Sequence, residues 1–162
     1  MDKLEAISQK IISSEKLDPI LAYWKFLNKK VVFTNGCFDI LHRGHVVYLA
    51  KAASYGDLLI IGLNSDLSVK SIKGPNRPLQ DQESRALILA SLHFVRHVIL
   101  FDEDTPYDLI KKIQPDVLVK GADYKPQDIV GYDIITAKGG EIVTIDFVEG
   151  YSTTGIIKKM NC

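Results

Sequence analysis

Two histidines, His42 and His45, lie three positions apart in the segment TNGCFDILHRGH, and a glycine directly precedes the second of them. The segment follows the apolar run Val31–Phe33 and contains Gly36, which permits a tight backbone turn. Backbone N–H groups in such a turn, together with the start of a following helix, form an anion site. The pattern therefore predicts a phosphate site to which both imidazoles donate hydrogen bonds.

Two other interpretations of the histidines remain open at this stage. One imidazole would cap a helix while the other lies on the surface, or the two would bind zinc. The zinc site lacks a clear third ligand, because Cys37 lies in the turn itself and His93 and His97 are far along the chain. Phosphate binding is therefore the preferred interpretation.

Polar residues also follow the later apolar runs of the sequence. They are Asn64 to Asp66, Lys120 to Tyr124, and Gly150 to Thr154. The last of these predicts a helix N-cap, since hydroxyl groups there accept hydrogen bonds from free backbone N–H groups. Such a cap at a sheet edge also serves as a phosphate seat. We expect all of these segments to converge on one edge of a sheet, where open α/β folds bind ligands.

The elements that must position these residues are short apolar runs separated by helical stretches, a pattern typical of parallel strands buried on both faces. The predicted strands are 31–34, 58–63, 97–101, 116–119 and 141–145. The predicted helices are 44–55, 82–92, 107–113, 134–137 and 153–160, with residues 2–28 also helical and a second helix there starting at Asp18-Pro19. This order predicts an α/β fold: a Rossmann-like, doubly wound parallel sheet in three α/β/α layers.

The composition excludes several classes of protein. The chain has 162 residues, of which 46% are hydrophobic and 25% charged, as in a folded globular protein. Lys plus Arg and Asp plus Glu number 20 each, without the basic excess that is usual in nucleic-acid binders. Two cysteines and the absence of a signal-like or membrane-spanning stretch predict a cytoplasmic protein that contacts no membrane. We expect one domain over 1–162, with an N-terminal helical extension (1–28) and a catalytic core (30–160).

The segment KGPNRP at 73–78 has the composition of a loop. It is interpreted either as a solvated loop or as a flap that carries Lys73 to a bound triphosphate. Arg85 follows on a predicted helix among Ala86, Leu87 and Leu89, where a surface salt bridge is the alternative to a contact with phosphate.

These stretches resemble the cytidylyltransferase-like nucleotidyltransferases, and most closely the adenylyltransferase domain of the bifunctional ADP-heptose synthases. The similarity covers about residues 30–160 and includes TNGCFDILHRGH, GLNSD, KGPNRP, FDEDTP, PDVLVKGADYKP and EGYSTTGIIKK. The heptose kinase domain that often precedes this module has no counterpart in the sequence, so a stand-alone enzyme is expected.

The resemblance implies transfer of AMP from ATP to D-glycero-β-D-manno-heptose 1-phosphate, with release of pyrophosphate, for lipopolysaccharide or surface-glycan synthesis. It implies Mg²⁺ as the cofactor, no metal held by protein ligands alone, and catalysis by His42, His45, Lys73 and Arg85. It implies ATP binding by Thr34, Asn35, Gly36, Cys37, Phe38, Lys120, Gly121, Phe147, Ser152 and Thr153. It implies binding of the sugar phosphate by Asp39, Asn64, Asp66, Arg77, Asp123 and Tyr124.

Some of these roles have structural alternatives. Asp39 and Asp66 are equally well interpreted as helix caps, and Lys120 to Tyr124 as an ordinary turn between a strand and a helix. The aromatic residues of the N-terminal helices are expected in packing or in a homodimer contact: Tyr23, Trp24 and Phe26.

Three other functions fit the sequence less well than this one. A glycerol-phosphate or other alcohol-phosphate cytidylyltransferase is the alternative within the family. The resemblance implies an arginine in those enzymes at the position that Phe147 occupies here, so the absence of this arginine counts against CTP as the substrate. A non-catalytic nucleotide sensor would have lost a histidine or the cations, which are all present. A dinucleotide-binding protein would carry GxGxxG after the first strand and an acidic residue after the second, where this chain has Asn64.

Overall fold

Five parallel strands form one sheet within the part of the chain that this computed structural model describes, residues 2–122 and 125–160. The strands are β1 (Val31–Gly36), β2 (Leu58–Asn64), β3 (Val95–Phe101), β4 (Val117–Gly121) and β5 (Glu141–Ile145). Their order in the sheet is β3-β2-β1-β4-β5, and every neighbouring pair is parallel. The chain changes direction across the sheet between β1 and β4, which is the switch point where doubly wound sheets bind ligands.

Helices cover both faces of the sheet. They are α1 (Lys3–Ser8), α2 (Leu17–Phe26), α3 (Arg43–Ala53), α4 (Asp66–Lys73), α5 (Gln82–Ser91), α6 (Tyr107–Ile113), α7 (Tyr132–Ala137) and α8 (Thr153–Met160), with 3₁₀ turns at Ser14–Lys16 and Pro126–Asp128. One apolar core joins α3 and α5 to the sheet, and a second core joins α2, α6 and α7 to the opposite face. The predicted three-layer, Rossmann-like α/β fold is therefore confirmed.

Strands β1 to β4 are largely buried on both faces, as their apolar runs predicted, whereas the edge strand β5 has only Ile145 buried. In β1, Val32 packs in the core beneath α3 and α5, while its neighbour Phe33 packs in the core beneath α2 and α6. Both side chains have no exposed surface. Packing on both faces holds each strand in place along its length. The residues at its carboxyl end are therefore the ones that can reach a ligand at that edge of the sheet.

The N-terminal segment differs from the prediction of helix over 2–28. Residues between α1 and α2 lie along β3 instead, where Val98 N donates to Lys10 O at 2.9 Å and Ile12 N donates to Val98 O at 3.1 Å. Because β3 is the edge strand, this segment covers backbone groups that would otherwise remain unpaired. The second helix begins at Leu17, one residue before the predicted start. Trp24 is 3% exposed and stacks on His97, so it has the predicted packing role, whereas Tyr23 and Phe26 are exposed.

Helix α4 was not predicted from the sequence. The Ser65 side chain caps it by accepting from Ser68 N at 3.2 Å, and Ser68 and Val69 are its buried residues. The helix has only eight residues, fewer than the window of about 11–18 residues over which helical periodicity is judged. The consequence for function is that Lys73 ends a helix rather than lying within a loop, and Gly74 follows it with a φ of +94°. Among the described residues no helix has the length and apolar character needed to cross a bilayer.

Packing of α3 on the sheet predicts a large loss of stability when its buried leucine is shortened. Leu49 has no exposed surface, so Leu49→Ala should lower the free energy of unfolding by about 2–5 kcal/mol through lost burial and the cavity left behind. The matched control is Leu67→Ala in α4, whose side chain is 69% exposed and should cost under about 0.5 kcal/mol. Urea unfolding measures both; equal losses would contradict the packing described.

Candidate active site

A cavity of about 780 Å³ opens at the carboxyl edge of the sheet. Its walls come from the turn after β1, the start of α3, the ends of β2 and α4, the end of β4, and the segment leading into α8. The expectation that separate polar segments converge on one edge is therefore confirmed for the described residues.

Most of the predicted site residues line this cavity. They are Asn35, Gly36, Cys37, Phe38, Asp39, His42, His45, Asn64, Lys73, Lys120, Gly121, Phe147, Ser152 and Thr153. Four predicted residues that the structure describes do not line it: Thr34, Asp66, Arg77 and Arg85. Two more, Asp123 and Tyr124, lie outside the described residues, so their predicted roles stay predictions.

The two histidines form a stacked pair at the start of α3. His42 is the N-cap, and its Nδ1 accepts from His45 N at 3.4 Å, while the ring centroids are 3.8 Å apart. Because Nδ1 of His42 accepts, the proton of a neutral ring is on Nε2, which is then a donor. The N-cap geometry thus selects the tautomer that can donate to an oxyanion. The helix-cap alternative and the phosphate role are compatible in His42.

Burial keeps the pair uncharged. Burial, then His42 and the positive charge of Lys73, lowers the pKa of His45 from 6.5 to about 4. Burial also lowers the pKa of His42. The His45 Nδ1 atom is buried and has no hydrogen-bond partner among the described residues. Two neutral imidazoles offer N–H groups without the repulsion that two stacked cations would create.

The start of α8 forms another part of the cavity wall. The Ser152 hydroxyl accepts from Gly155 N at 3.0 Å, which makes Ser152 the cap that its sequence predicted. The Thr153 hydroxyl donates to the carbonyl oxygen of Asp39 at 2.8 Å, which ties the helix to the turn after β1. The N-termini of α3 and α8 therefore both lie beside the cavity, and each presents the positive end of a helix dipole.

Two lysines add positive charge to the cavity. Lys73, the last residue of α4, is exposed and lines the cavity, and its charge acts on His45. Lys120, in β4, donates to the side-chain oxygen of Asn35 in β1. This bond crosses the switch point between the two halves of the sheet and orients both polar groups at the cavity floor.

Arg85 lies beneath the cavity rather than in it. Its side chain has no exposed surface, so the alternative of a surface salt bridge is wrong. Nη1 donates to the carbonyl oxygens of Cys37 at 2.6 Å and Asn64 at 2.9 Å, Nε donates to Gln80 O at 3.0 Å, and Nη2 pairs with Asp66 at 2.8 Å. These bonds use all three guanidinium nitrogens of Arg85 and one carboxylate oxygen of Asp66. Direct contact of Arg85 with phosphate therefore finds no support in this geometry.

Asp39 and Arg77 are likewise paired inside the protein. The Asp39 carboxylate is 1% exposed and accepts from Arg77 Nε at 2.8 Å. The predicted flap over 73–78 is thus anchored at its C-terminal end, which leaves residues 74–76 as the part without such an anchor. Thr34 is buried, and its hydroxyl bonds to the hydroxyl of Tyr48 at 2.8 Å.

Several residues that line the cavity were not predicted from the sequence. They are Tyr48, Ile72, the turn Asp104 to Pro106, the segment Asp128 to Val130, and Tyr151. The FDEDTP stretch is one of those that resemble the family. Its position at the end of β3 is the signal that could have identified Asp104 and Thr105. Tyr151 accepts from Arg43 Nη1 at 3.2 Å, a contact across 108 positions of sequence that no local pattern reveals.

Phe147 lies on the cavity wall, where its ring is 62% exposed. Its centroid is 6.4 Å from that of Tyr48, and the ring planes differ by 29°. It therefore presents a flat apolar surface to the cavity rather than to the core.

Comparison with known proteins assigns this chain to a family. The family model described as cytidylyltransferase-like matches residues 33–159, a range that begins within β1, includes β2 to β5 and contains every residue that lines the cavity. The chain belongs to the cytidylyltransferase-like family.

Curated relatives of this cytidylyltransferase-like chain are described as the bifunctional protein HldE. The one from Campylobacter concisus is 60% identical over 151 residues, covering 93% of this chain and 31% of the relative. The one from Wolinella succinogenes is 51% identical over 152 residues, covering 94% of this chain and 31% of the relative. The chain thus spans about a third of the length of these relatives.

A solved structure with the same fold is the lipopolysaccharide core biosynthesis protein from Thermoplasma volcanium. It is 26% identical to this chain, with a TM-score of 0.61, and the match covers 76% of this chain and 99% of that protein.

The residues around the cavity fit a metal that arrives with phosphate better than one held by protein alone. Among the described residues no three His, Cys, Asp or Glu side chains lie close enough together to hold an ion. Mg²⁺ is commonly bound by one or two carboxylates together with substrate phosphates. The carboxylates of Asp104 and Asp128 line the cavity and are of the right chemical type.

The buried, uncharged state of His45 predicts a specific pH dependence of folding. The folded pKa lies below the ordinary value of 6.5, so the unfolded chain takes up more protons as pH falls. The free energy of unfolding should therefore be fully present above pH 6.5 and decline as pH falls from 6.5 to about 4. Burial lowers the pKa of His97 too, so His45→Asn should reduce this slope without abolishing it.

Two measurements check the prediction. Unfolding of the wild type and of His45→Asn at several pH values gives the two slopes, and NMR titration gives the midpoint of His45 directly. A midpoint near 6.5, or identical slopes, would show that the ring is not buried as described.

Proposed function

We propose that this chain transfers AMP from ATP to D-glycero-β-D-manno-heptose 1-phosphate and releases pyrophosphate. The observation that carries the proposal is the neutral His42–His45 pair at the N-terminus of α3, which shares one cavity with Lys73 and the N-terminus of α8. Family membership supports nucleotidyl transfer. Relatives described as HldE and a structure described as a lipopolysaccharide core biosynthesis protein support a sugar phosphate as the acceptor.

The reaction requires an oxygen of the acceptor phosphate to attack the α-phosphorus of ATP while pyrophosphate leaves. Negative charge is spread over oxygens, so positioning and charge stabilisation supply most of the rate. No protein nucleophile is needed, and no covalent enzyme intermediate forms.

The histidine pair is assigned to the reacting phosphate. Nε2–H of His42 donates to a phosphate oxygen, because its Nδ1 is committed to His45 N. His45 also lines the cavity and is assigned as the donor to the α-phosphate. Neutral donors that are fixed before the substrate arrives require no reorganisation when charge develops.

The β- and γ-phosphates are assigned to Lys73 and the start of α8. Lys73 neutralises the triphosphate, while Ser152, Thr153 and the helix N-terminus supply hydrogen bonds and a favourable dipole. When MgATP is bound, the metal neutralises phosphate charge further. In this proposal Arg85 supports the site from beneath. ATP and sugar phosphates are cytoplasmic metabolites, so we place the activity in the cytoplasm.

The base is assigned to the end of the cavity at β4, where Lys120 and Gly121 end the strand and Phe147 forms the wall. Phe147 offers stacking but no hydrogen bond, which favours the larger adenine ring over cytosine. Among the residues predicted to bind sugar phosphate, Asn64 lines the cavity with its side chain oriented by a bond from Nδ2 to Ser68 Oγ at 2.9 Å.

Removing either imidazole tests the central assignment. His42→Ala and His45→Ala should each lower kcat by at least about 10²-fold, because each removes a donor to developing charge. His93→Ala is the matched control, since this histidine is exposed and does not line the cavity. Pyrophosphate release measures all three. Near wild-type turnover in both site variants, with folding intact, would refute the role of the pair.

The choice of nucleotide tests the assignment of the base. Stacking on an aromatic ring is worth about 1–3 kcal/mol per base, so ATP should exceed CTP in kcat/KM by at least about tenfold, or 1.4 kcal/mol. Phe147→Ala should reduce kcat/KM for ATP more than for CTP, whereas Phe26→Ala, an exposed residue on α2, should change neither. Comparable rates with ATP and CTP in the wild type would favour the alcohol-phosphate cytidylyltransferase instead.

A further inference from the structure

The turn between β1 and α3 has a backbone conformation that residues other than glycine rarely adopt. Phe38 has a φ of 44° and Ile40 a φ of 52°, and Asp39 lies between them. A left-handed conformation is costly for a β-branched residue such as isoleucine and persists only where surrounding contacts enforce it. This turn leads directly into His42, so whatever enforces it also determines where the histidine pair lies.

The Asp39 carboxylate supplies much of that enforcement. Its Oδ2 accepts from Arg77 Nε at 2.8 Å and from Leu79 N at 2.9 Å, and its Oδ1 accepts from Gln80 N at 3.0 Å. The Gln80 side chain returns a bond, since its oxygen accepts from Ile40 N at 3.1 Å. The strained turn and the 77–80 segment therefore hold each other through four hydrogen bonds.

The 77–80 segment is connected at its other end to Lys73. Only residues 74–76 separate Lys73 from Arg77, and Arg77 N donates to Gly74 O at 3.2 Å. The backbone carbonyl oxygen of Asp39 also accepts from the Thr153 hydroxyl of α8 at 2.8 Å. Asp39 is thus bonded to the 77–80 segment, which is connected to Lys73, and to α8. It also lies in the turn that leads to the histidine pair.

We infer that Asp39 is a positioning residue, which fixes Lys73 and the histidine pair relative to each other without touching substrate. A direct role is disfavoured because its side chain is 1% exposed and its oxygens already accept three hydrogen bonds. This role differs from the contact with sugar phosphate that the family resemblance implies.

The charge state of Asp39 supports the same role. Burial alone would raise the pKa of its carboxyl, but the hydrogen bonds from Leu79, Gln80 and Arg77 outweigh burial and hold the pKa below its usual value. The group is therefore an anion at neutral pH, which strengthens each of its hydrogen bonds.

The decisive experiment is a double-mutant cycle, whose catalytic readout rests on the proposed function. Asp39→Asn keeps the shape of the side chain but replaces an acceptor with an amide donor. It should lower kcat/KM for MgATP by about 10–100-fold, since small displacements of positioned groups have effects of that size. Lys73→Ala should lower it by about tenfold or more. If Asp39 acts through Lys73, the kcat/KM of the double variant should lie within about threefold of that of the less active single variant.

Several outcomes decide the inference. Wild-type kcat/KM in Asp39→Asn would overturn it, as would effects of the two substitutions that multiply. Should Asp39→Asn fail to fold, Arg77→Gln takes its place in the cycle, because it removes the ion pair while leaving the two backbone bonds of Asp39. Asp81→Asn is the matched control, since this carboxylate also accepts backbone N–H but caps α5 on the surface, and it should leave kcat/KM unchanged.

Hydrogen exchange separates this inference from the proposed function. The amides of Leu79 and Gln80 should be protected in the wild type and exchange at least about tenfold faster in Asp39→Asn, because their acceptor is weakened. Unchanged protection would overturn the inference even if the enzyme is active. A wild type without adenylyltransferase activity but with this loss of protection would refute the proposed function and leave the anchoring by Asp39 in place.

Discussion

The buried guanidinium of Arg85 is the interaction on which the geometry of the site depends. A charged group without exposed surface needs partners for its donors, and here the partners are the turn after β1, the end of β2 and the segment before α5. The three segments are joined to one rigid, planar group. The carbonyl of Cys37 can point inward, and the strained turn that begins there can be maintained, because Arg85 supplies the donor.

Charge is distributed across the site with a clear division. His42 and His45, which we propose as donors to the reacting phosphate, are uncharged, and the positive charge of Lys73 lies at the exposed rim of the cavity. Burial and His42 keep His45 neutral, and Lys73 adds to their effect, so the cation that we propose for the triphosphate also lowers the pKa of the imidazole beside it.

The 77–80 segment anchors the C-terminal end of the Gly- and Pro-rich stretch at 73–78. Its composition favours a mobile flap, yet Asp39 holds its end through the side chain and two backbone groups. Residues 74–76 are the part of this stretch without such an anchor, and Gly74 there has a positive φ.

The sequence by itself determined the layer architecture, the carboxyl-edge location of the site and the HRGH turn, because apolar runs and local turn chemistry act over a few residues. It also predicted Tyr107–Ile113, Glu141–Ile145 and Thr153–Met160 with the bounds that the structure has. Tertiary structure alone decided that Arg85 and Asp39 face inward, since their partners are up to 48 and 41 positions away. It also decided that residues 10–12 extend along β3, where an unpaired strand edge outweighs local helical preference. Burial and long-range hydrogen bonding are properties of the assembled sheet, and no local pattern encodes them.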